Sequence, residues 1–112
     1  MEGFYHLINR GVEKRNIFMD EKDKVRFVHD MYEFNNVNSV NNVGLRFTQN
    51  MDLRSPYLQN REELVDIHGW CLMDNHYHLL VSERIDGGIT KFIRKLNIGY
   101  AKYFNEKYDR SG

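Results

Sequence analysis

Leu64-Val65-Asp66-Ile67-His68-Gly69-Trp70-Cys71, then Leu72-Met73-Asp74-Asn75, then His76-Tyr77-His78-Leu79-Leu80-Val81-Ser82 is the stretch that decides the fold. Leu64 to Cys71 and His76 to Ser82 read as two strands, and Met73-Asp74-Asn75 between them carries the Asp-Asn chemistry of a tight turn, so a hairpin is expected. Residues i and i+2 of a strand share a face. Tyr77, Leu79 and Val81 can therefore fill a core, while His76 and His78 project together from the opposite surface. Spacing alone leaves two readings of that pair: an incidental or hydrogen-bonded pair, or two ligands of a divalent cation that polarises a phosphate oxygen. With few soft ligands nearby, magnesium or manganese suits the second reading, with zinc as a further option. Asp74, Asn75 and His6 are candidates to add a ligand or orient a ring. His29 and His68 have no obvious partner.

Outward from the hairpin, Phe4 to Val12 reads as a strand that leaves through Asn9-Arg10-Gly11. Asp20 can cap a helix beginning at Glu21, with Val25, Phe27, Val28, Met31, Tyr32 and Phe34 on its apolar side. Gly87-Gly88 breaks the chain before a second helix, where Ile89, Phe92, Ile93, Leu96, Tyr100, Tyr103 and Phe104 follow helical spacing. The order strand, helix, strand, strand, helix predicts an α+β fold: a ferredoxin-like βαββα(β) sandwich with an antiparallel sheet, two helices on one face and the last strand missing. The whole chain, 1–112, is expected to form one domain. About 36–62 reads as an irregular insertion: asparagine-rich, with Gly44 and Pro56, and a short strand as an option at Val43 to Thr48.

The 112 residues carry 16 basic and 16 acidic side chains, so distribution matters more than net charge. Lys91, Arg94, Lys95, Lys102, Lys107 and Arg110 face only Glu106 and Asp109 in the C-terminal part, a locally basic segment compatible with a polyanion or with a solvated helix face. No apolar run is long enough to span a membrane. Met1-Glu2-Gly3-Phe4 lacks the basic-then-apolar pattern of a secretory signal. Cys71 stands alone and fits a small buried hydrophobe in a reducing, cytoplasmic setting.

Three separated segments resemble one family. Trp70 to Val81 resembles the histidine motif of single-tyrosine HUH transposases, in the branch of REP-associated tyrosine transposases and insertion-sequence relatives. Tyr5-His6-Leu7-Ile8-Asn9-Arg10-Gly11 with Asn16-Ile17-Phe18 resembles that family's first strand and turn. Lys91 to Leu96 and Tyr100 to Asn105 resemble its second helix. The resemblance implies DNA transposition: metal-dependent nicking and rejoining of single-stranded DNA near a hairpin. A tyrosine becomes linked to the 5′ end and leaves a free 3′ hydroxyl. With a hydroxyl pKa of about 10, that tyrosine needs a metal at the phosphate, so His76 and His78 are expected to be both the metal ligands and the catalytic pair. Asn9, Arg10, Lys91, Arg94, Lys95 and Lys102 are expected to contact DNA, single-stranded or in a hairpin.

The sequence departs from the family twice. The nucleophilic tyrosine is expected beyond Gly112, because Tyr100, Tyr103 and Tyr108 match second-helix positions; the chain then behaves as a truncated fragment. The 36–62 insertion is the second departure, with a tolerated surface loop as its default reading. A missing last strand would leave the first strand with an open edge, and a homodimer through that edge is expected. The alternatives are a non-catalytic single-stranded nucleic-acid-binding ferredoxin-like module, a small water-using metal hydrolase relying on Asp74, and a purely structural domain.

Overall fold

The computed structural model describes residues 3–38 and 61–110. The expected Val43 to Thr48 strand and most of the 36–62 insertion lie outside the described residues. Strand β1 (Tyr5–Arg10) leads through a 3-10 turn (Val12–Lys14) to helix α1 (Glu21–Glu33). Strands β2 (Val65–Met73) and β3 (His76–Glu83) form the hairpin, and helix α2 (Gly88–Tyr108) follows. The sheet is antiparallel in the order β1-β3-β2. That arrangement, with both helices on one face, is the expected ferredoxin-like α+β architecture.

Alternation along β3 builds the core. Tyr77, Leu79 and Val81 are buried and meet Phe27 and Met31 of α1 and Phe92, Leu96, Tyr100 and Phe104 of α2. The α2 stripe read from the sequence is the buried one, with Ile89, Ile93 and Tyr103 packed partly against it. On α1 the expected apolar side is narrower: Phe27 and Met31 are buried, but Val25 and Tyr32 are exposed. Asp20 caps α1 as expected, its carboxylate accepting the Asp23 N–H at 2.9 Å.

Three local features depart from the sequence expectation. The hairpin turn is tighter, closing on Asp74 and Asn75 alone, with Met73 paired to His76. Cys71 is exposed rather than buried, because alternation from the core-facing Leu72 turns it onto the uncovered face of the sheet. Asn35, read only as part of an asparagine-rich stretch, is buried and joins two elements. Its side-chain oxygen accepts the Leu64 and Val65 N–H groups at 2.9 and 3.0 Å, and its amide donates to the Val65 carbonyl at 2.8 Å. The chain thus leaves α1 and re-enters at β2 through a satisfied polar clasp. A Val37 N–H to Glu62 carbonyl bond of 2.8 Å brings the two sides of the insertion together.

Gly11 holds β1 against the hairpin. Its N–H donates to the Asn75 carbonyl at 2.9 Å, and a Cβ there would sit 2.2 Å from the Arg15 carbonyl oxygen. The Ile17 and Phe18 N–H groups bond the Asp74 carbonyl at 2.8 and 3.0 Å. Backbone hydrogen bonds therefore fix the end of β1 and the histidine end of β3 to one another.

Candidate metal and DNA site

The two helices cover one face of the sheet, and His76 and His78 stand on the other. Their neighbours there follow from register: Ile8 of β1 and Cys71 of β2 flank His78, while Arg10 and Met73 flank His76. The imidazoles of His76 and His78 lie with centroids 5.0 Å apart, edge to face.

Each ring has its Nδ1 occupied. His76 Nδ1 is 2.7 Å from Asn75 Oδ1. A carboxamide oxygen only accepts, so His76 Nδ1 carries the proton and its Nε2 keeps a free lone pair in the neutral ring. His78 Nδ1 is 2.8 Å from His6 Nε2, with the two rings stacked at 5.0 Å and 18°. If His78 donates in that pair, its Nε2 is likewise the ligand atom. Both imidazoles then present Nε2 with Nδ1–H anchored, the arrangement that metal-ligating histidines adopt. Partial desolvation, then the charges of His76, His6 and Arg10, hold His78 below the ordinary histidine pKa. That direction favours the neutral, ligating form.

The donor set fits a metal that shares its coordination with a substrate. Among the described residues no three His, Cys, Asp or Glu side chains converge as a metal group. A metal held at this pair would take two nitrogen ligands from it, with its other positions open to phosphate oxygens and water. Asp74, the expected extra carboxylate, sits in the turn 3.9 Å from Lys24 Nζ. Asn75 and His6, the other two candidates, orient the rings. His68 lies on β2 and bonds Ser82 Oγ at 2.8 Å, and His29 of α1 lies 3.6 Å from Glu33.

The expected DNA contacts divide between two surfaces. Arg10 shares the histidine face, as the cross-strand partner of His76. Asn9 points the other way, and its amide donates to Asn97 Oδ1 of α2 at 3.2 Å. Lys91, Arg94 and Lys102 are exposed on α2, on the far side of the sheet from the histidines. Lys95 is drawn inward. Its ammonium donates to the Asn36 carbonyl and, at 2.9 Å, to the Asn38 carbonyl, closing the C-terminal end of α1 onto α2. The sequence reading counted these cations together because a charge tally carries no information about layers.

The tyrosines of α2 are committed elsewhere. Tyr100 donates to the Ile17 carbonyl, Tyr103 to Asp23 Oδ1 at 2.6 Å and Tyr108 to Asp23 Oδ2 at 2.7 Å. Burial pushes the Tyr103 hydroxyl up to about 12, helped by its bond to the Asp23 carboxylate. Each of these hydroxyls lies in the helical layer, with the sheet between it and the histidines.

A family model described as Transposase IS200 like matches residues 56–112, just over half of the chain. The chain belongs to the IS200-like transposase family. The matched segment contains both strands of the histidine hairpin and all of α2. Transposases of this IS200-like family are generally metal-dependent, in keeping with the paired imidazoles. No curated protein and no solved structure matches the chain. No helix among the described residues is long and apolar enough to cross a membrane.

Proposed function

We propose that this IS200-like transposase chain holds a divalent metal, manganese or magnesium, at His76 and His78 and uses it to bind the scissile phosphate of hairpin-bearing single-stranded DNA. The observation that carries the reading is the anchored pair: two imidazoles on the open face of β3, each with Nδ1 within hydrogen-bond distance of a neighbouring side chain. When bound, the metal supplies Lewis-acid stabilisation of charge on the phosphate. Arg10, beside His76, neutralises an adjacent phosphate. Asn75 holds His76 in the tautomer with Nδ1 protonated, and His6 orients the His78 ring.

The reaction is nicking and rejoining through a 5′-phosphotyrosine intermediate, with a nucleophile other than Tyr100, Tyr103 and Tyr108. The hydroxyls of Tyr100, Tyr103 and Tyr108 support this, being bonded within the helical layer. Two copies pair through β1, whose outer edge has no strand partner among the described residues. A single species of monomer mass in sedimentation at high protein concentration would contradict that pairing.

The test of function is to incubate labelled hairpin-bearing single-stranded DNA and manganese with the 112-residue chain and with a form extended past Gly112. Metal-dependent binding by both, with a covalent adduct from the extended form alone, is the expected result. A free 5′-phosphate product without adduct would favour water as nucleophile. Binding and cleavage unchanged in His76→Ala/His78→Ala would overturn the reading.

A further inference from the structure

The turn after β1 holds a conformation that its own side chains do not explain. Glu13 sits at φ 53° and ψ 33°, and Lys14 at φ 61°. Consecutive non-glycine residues in the left-handed region cost energy, because each Cβ crowds the following carbonyl. No residue of Val12–Lys14 is buried, and the exposed side chains of Glu13 and Arg15 approach only to 3.9 Å. Packing therefore does not hold the strained backbone; hydrogen bonds do. The Lys14 N–H donates to the Gly11 carbonyl at 3.1 Å and the Arg15 N–H to the Val12 carbonyl at 3.0 Å. Both flanks are tied to the hairpin, Gly11 to the Asn75 carbonyl and Ile17 and Phe18 to the Asp74 carbonyl. Phe18 is buried in the core, which keeps the far flank in place.

What the strained residues deliver is one carbonyl. Asn75 Nδ2 donates to the Lys14 carbonyl oxygen at 3.4 Å. The other arm of that carboxamide, Oδ1, lies 2.7 Å from His76 Nδ1. A carboxamide has a donor arm and an acceptor arm, and half a turn exchanges them. The exchanged amide would set its oxygen against the Lys14 oxygen, two acceptors with no proton between them. The Lys14 carbonyl can only accept, so it selects the orientation that turns Oδ1 to His76. Oδ1 then takes the proton of His76 Nδ1 and leaves Nε2 as the lone-pair nitrogen of the neutral ring. The selection runs from a backbone turn, through one amide, to the choice of a ring nitrogen. His78 has no such lock: its Nδ1 meets His6 Nε2 at 2.8 Å, and either imidazole can be the donor there.

We infer that the Val12–Lys14 turn is a positioning device for His76, whose strained backbone aims the Lys14 carbonyl at Asn75 and so fixes Nε2 as the nitrogen offered to a metal. Lys14 acts through its main chain and through Asn75, which makes it a positioning residue rather than a catalytic one. This inference rests on the proposed metal site and adds to it the part of the chain that sets one of its ligands.

The experiment uses the full 112-residue chain without metal, isotope-labelled at its histidine nitrogens. Long-range proton–nitrogen correlation spectra at about pH 8.5, about two units above an ordinary imidazole pKa of about 6.5, distinguish Nδ1–H from Nε2–H. The wild type is expected to show His76 with Nδ1–H. Lys14→Gly, which adopts positive φ without strain, is expected to keep that signature. Lys14→Pro, which forces φ to about −65°, is expected to populate Nε2–H and to weaken manganese binding about tenfold, the low end for loss of an orienting partner. Lys14→Val is the milder second variant if proline prevents folding, because a β-branched residue resists positive φ; circular dichroism melts report folding. Adding Asn75→Asp to either is expected to restore Nδ1–H, since both arms of a carboxylate accept and neither needs selecting. Structural damage alone would not be rescued in this way. An Nε2–H ring in the wild type, or a folded Lys14→Pro or Lys14→Val with the His76 tautomer unchanged, overturns the inference and leaves the metal site standing. Manganese affinity unchanged in His76→Ala overturns the metal site, and with it the purpose of the turn.

Discussion

Asp23 is fully buried, and four donors converge on its carboxylate. Lys107 Nζ and Tyr103 Oη donate to Oδ1 at 2.8 and 2.6 Å; the Met19 N–H and Tyr108 Oη donate to Oδ2 at 2.9 and 2.7 Å. Burial alone would raise its pKa. The bonds from Lys107, Tyr103, Tyr108 and Met19 outweigh that and hold it below the ordinary value. Asp23→Asn keeps the shape but offers one acceptor and one amide to four donors, so at least one donor faces another. Breaking a buried charge pair from one side costs roughly 3–5 kcal/mol. Lys107 keeps Asp20 at 3.2 Å and some solvent contact, which places Asp23→Asn near the lower end, about 3 kcal/mol. Tyr103→Phe and Tyr108→Phe each remove one hydrogen bond to a charged group, about 1.5–3 kcal/mol when buried and less at the exposed end of α2. We expect about 2 kcal/mol for Tyr103→Phe and about 1 for Tyr108→Phe. Urea denaturation followed by circular dichroism reads these values. At a slope of about 1.5 kcal/mol/M, Asp23→Asn moves the midpoint down by roughly 2 M. DNA binding by the folded fraction of each variant stays at the wild-type level. Stability within 0.5 kcal/mol of wild type for Asp23→Asn would refute the clasp. A Tyr103→Phe variant that is stable yet loses an adduct-forming activity would show that its hydroxyl is chemical rather than structural.

Two further outcomes follow from named contacts. His6→Ala removes the partner of His78 Nδ1 and should weaken manganese binding about tenfold, the low end for loss of a residue that orients a metal ligand; because His6 is exposed, the urea midpoint should hardly move, and calorimetric affinity within twofold of wild type would exclude an orienting role. Burial pushes Asp30 up to about 6, with Arg26 opposing. Its folded form holds the proton more tightly than the unfolded chain, so its contribution to stability grows as pH falls from about 6 to about 4. Two pKa units correspond to about 3 kcal/mol, and Asp30→Asn should abolish that part of the pH dependence when urea midpoints are compared between pH 7 and pH 4.5.

Much of the fold was legible because it rests on periodicity. The alternation of Tyr77, Leu79 and Val81 against His76 and His78, and the α2 stripe from Ile89 to Phe104, are one-dimensional patterns that survive folding unchanged. The histidine pair was legible for the same reason. Its partners were less so. His6 was one of three candidates, and only the register of β1 on β3, which places Ile8 opposite His78, brings it within hydrogen-bond distance. Register is set by tertiary packing and turn closure rather than by local sequence. The Asn35 clasp and the convergence on Asp23 were invisible, since buried polar groups look in sequence like ordinary surface residues. The basic residues were misgrouped for a related reason. Composition supplied Lys91, Arg94, Lys95 and Lys102 as one set, whereas the helix directs Lys95 to the carbonyls of Asn36 and Asn38 and leaves the other three facing solvent.

The histidine pair is tested most directly by counting bound manganese. Electron paramagnetic resonance of free Mn²⁺ during titration should give one site per chain in the wild type. Single-stranded hairpin DNA should tighten that site, because the phosphate completes its coordination, and the site should vanish in His76→Ala/His78→Ala while the fold is retained. Equal manganese binding in the double variant, or a manganese affinity indifferent to DNA, would contradict the account.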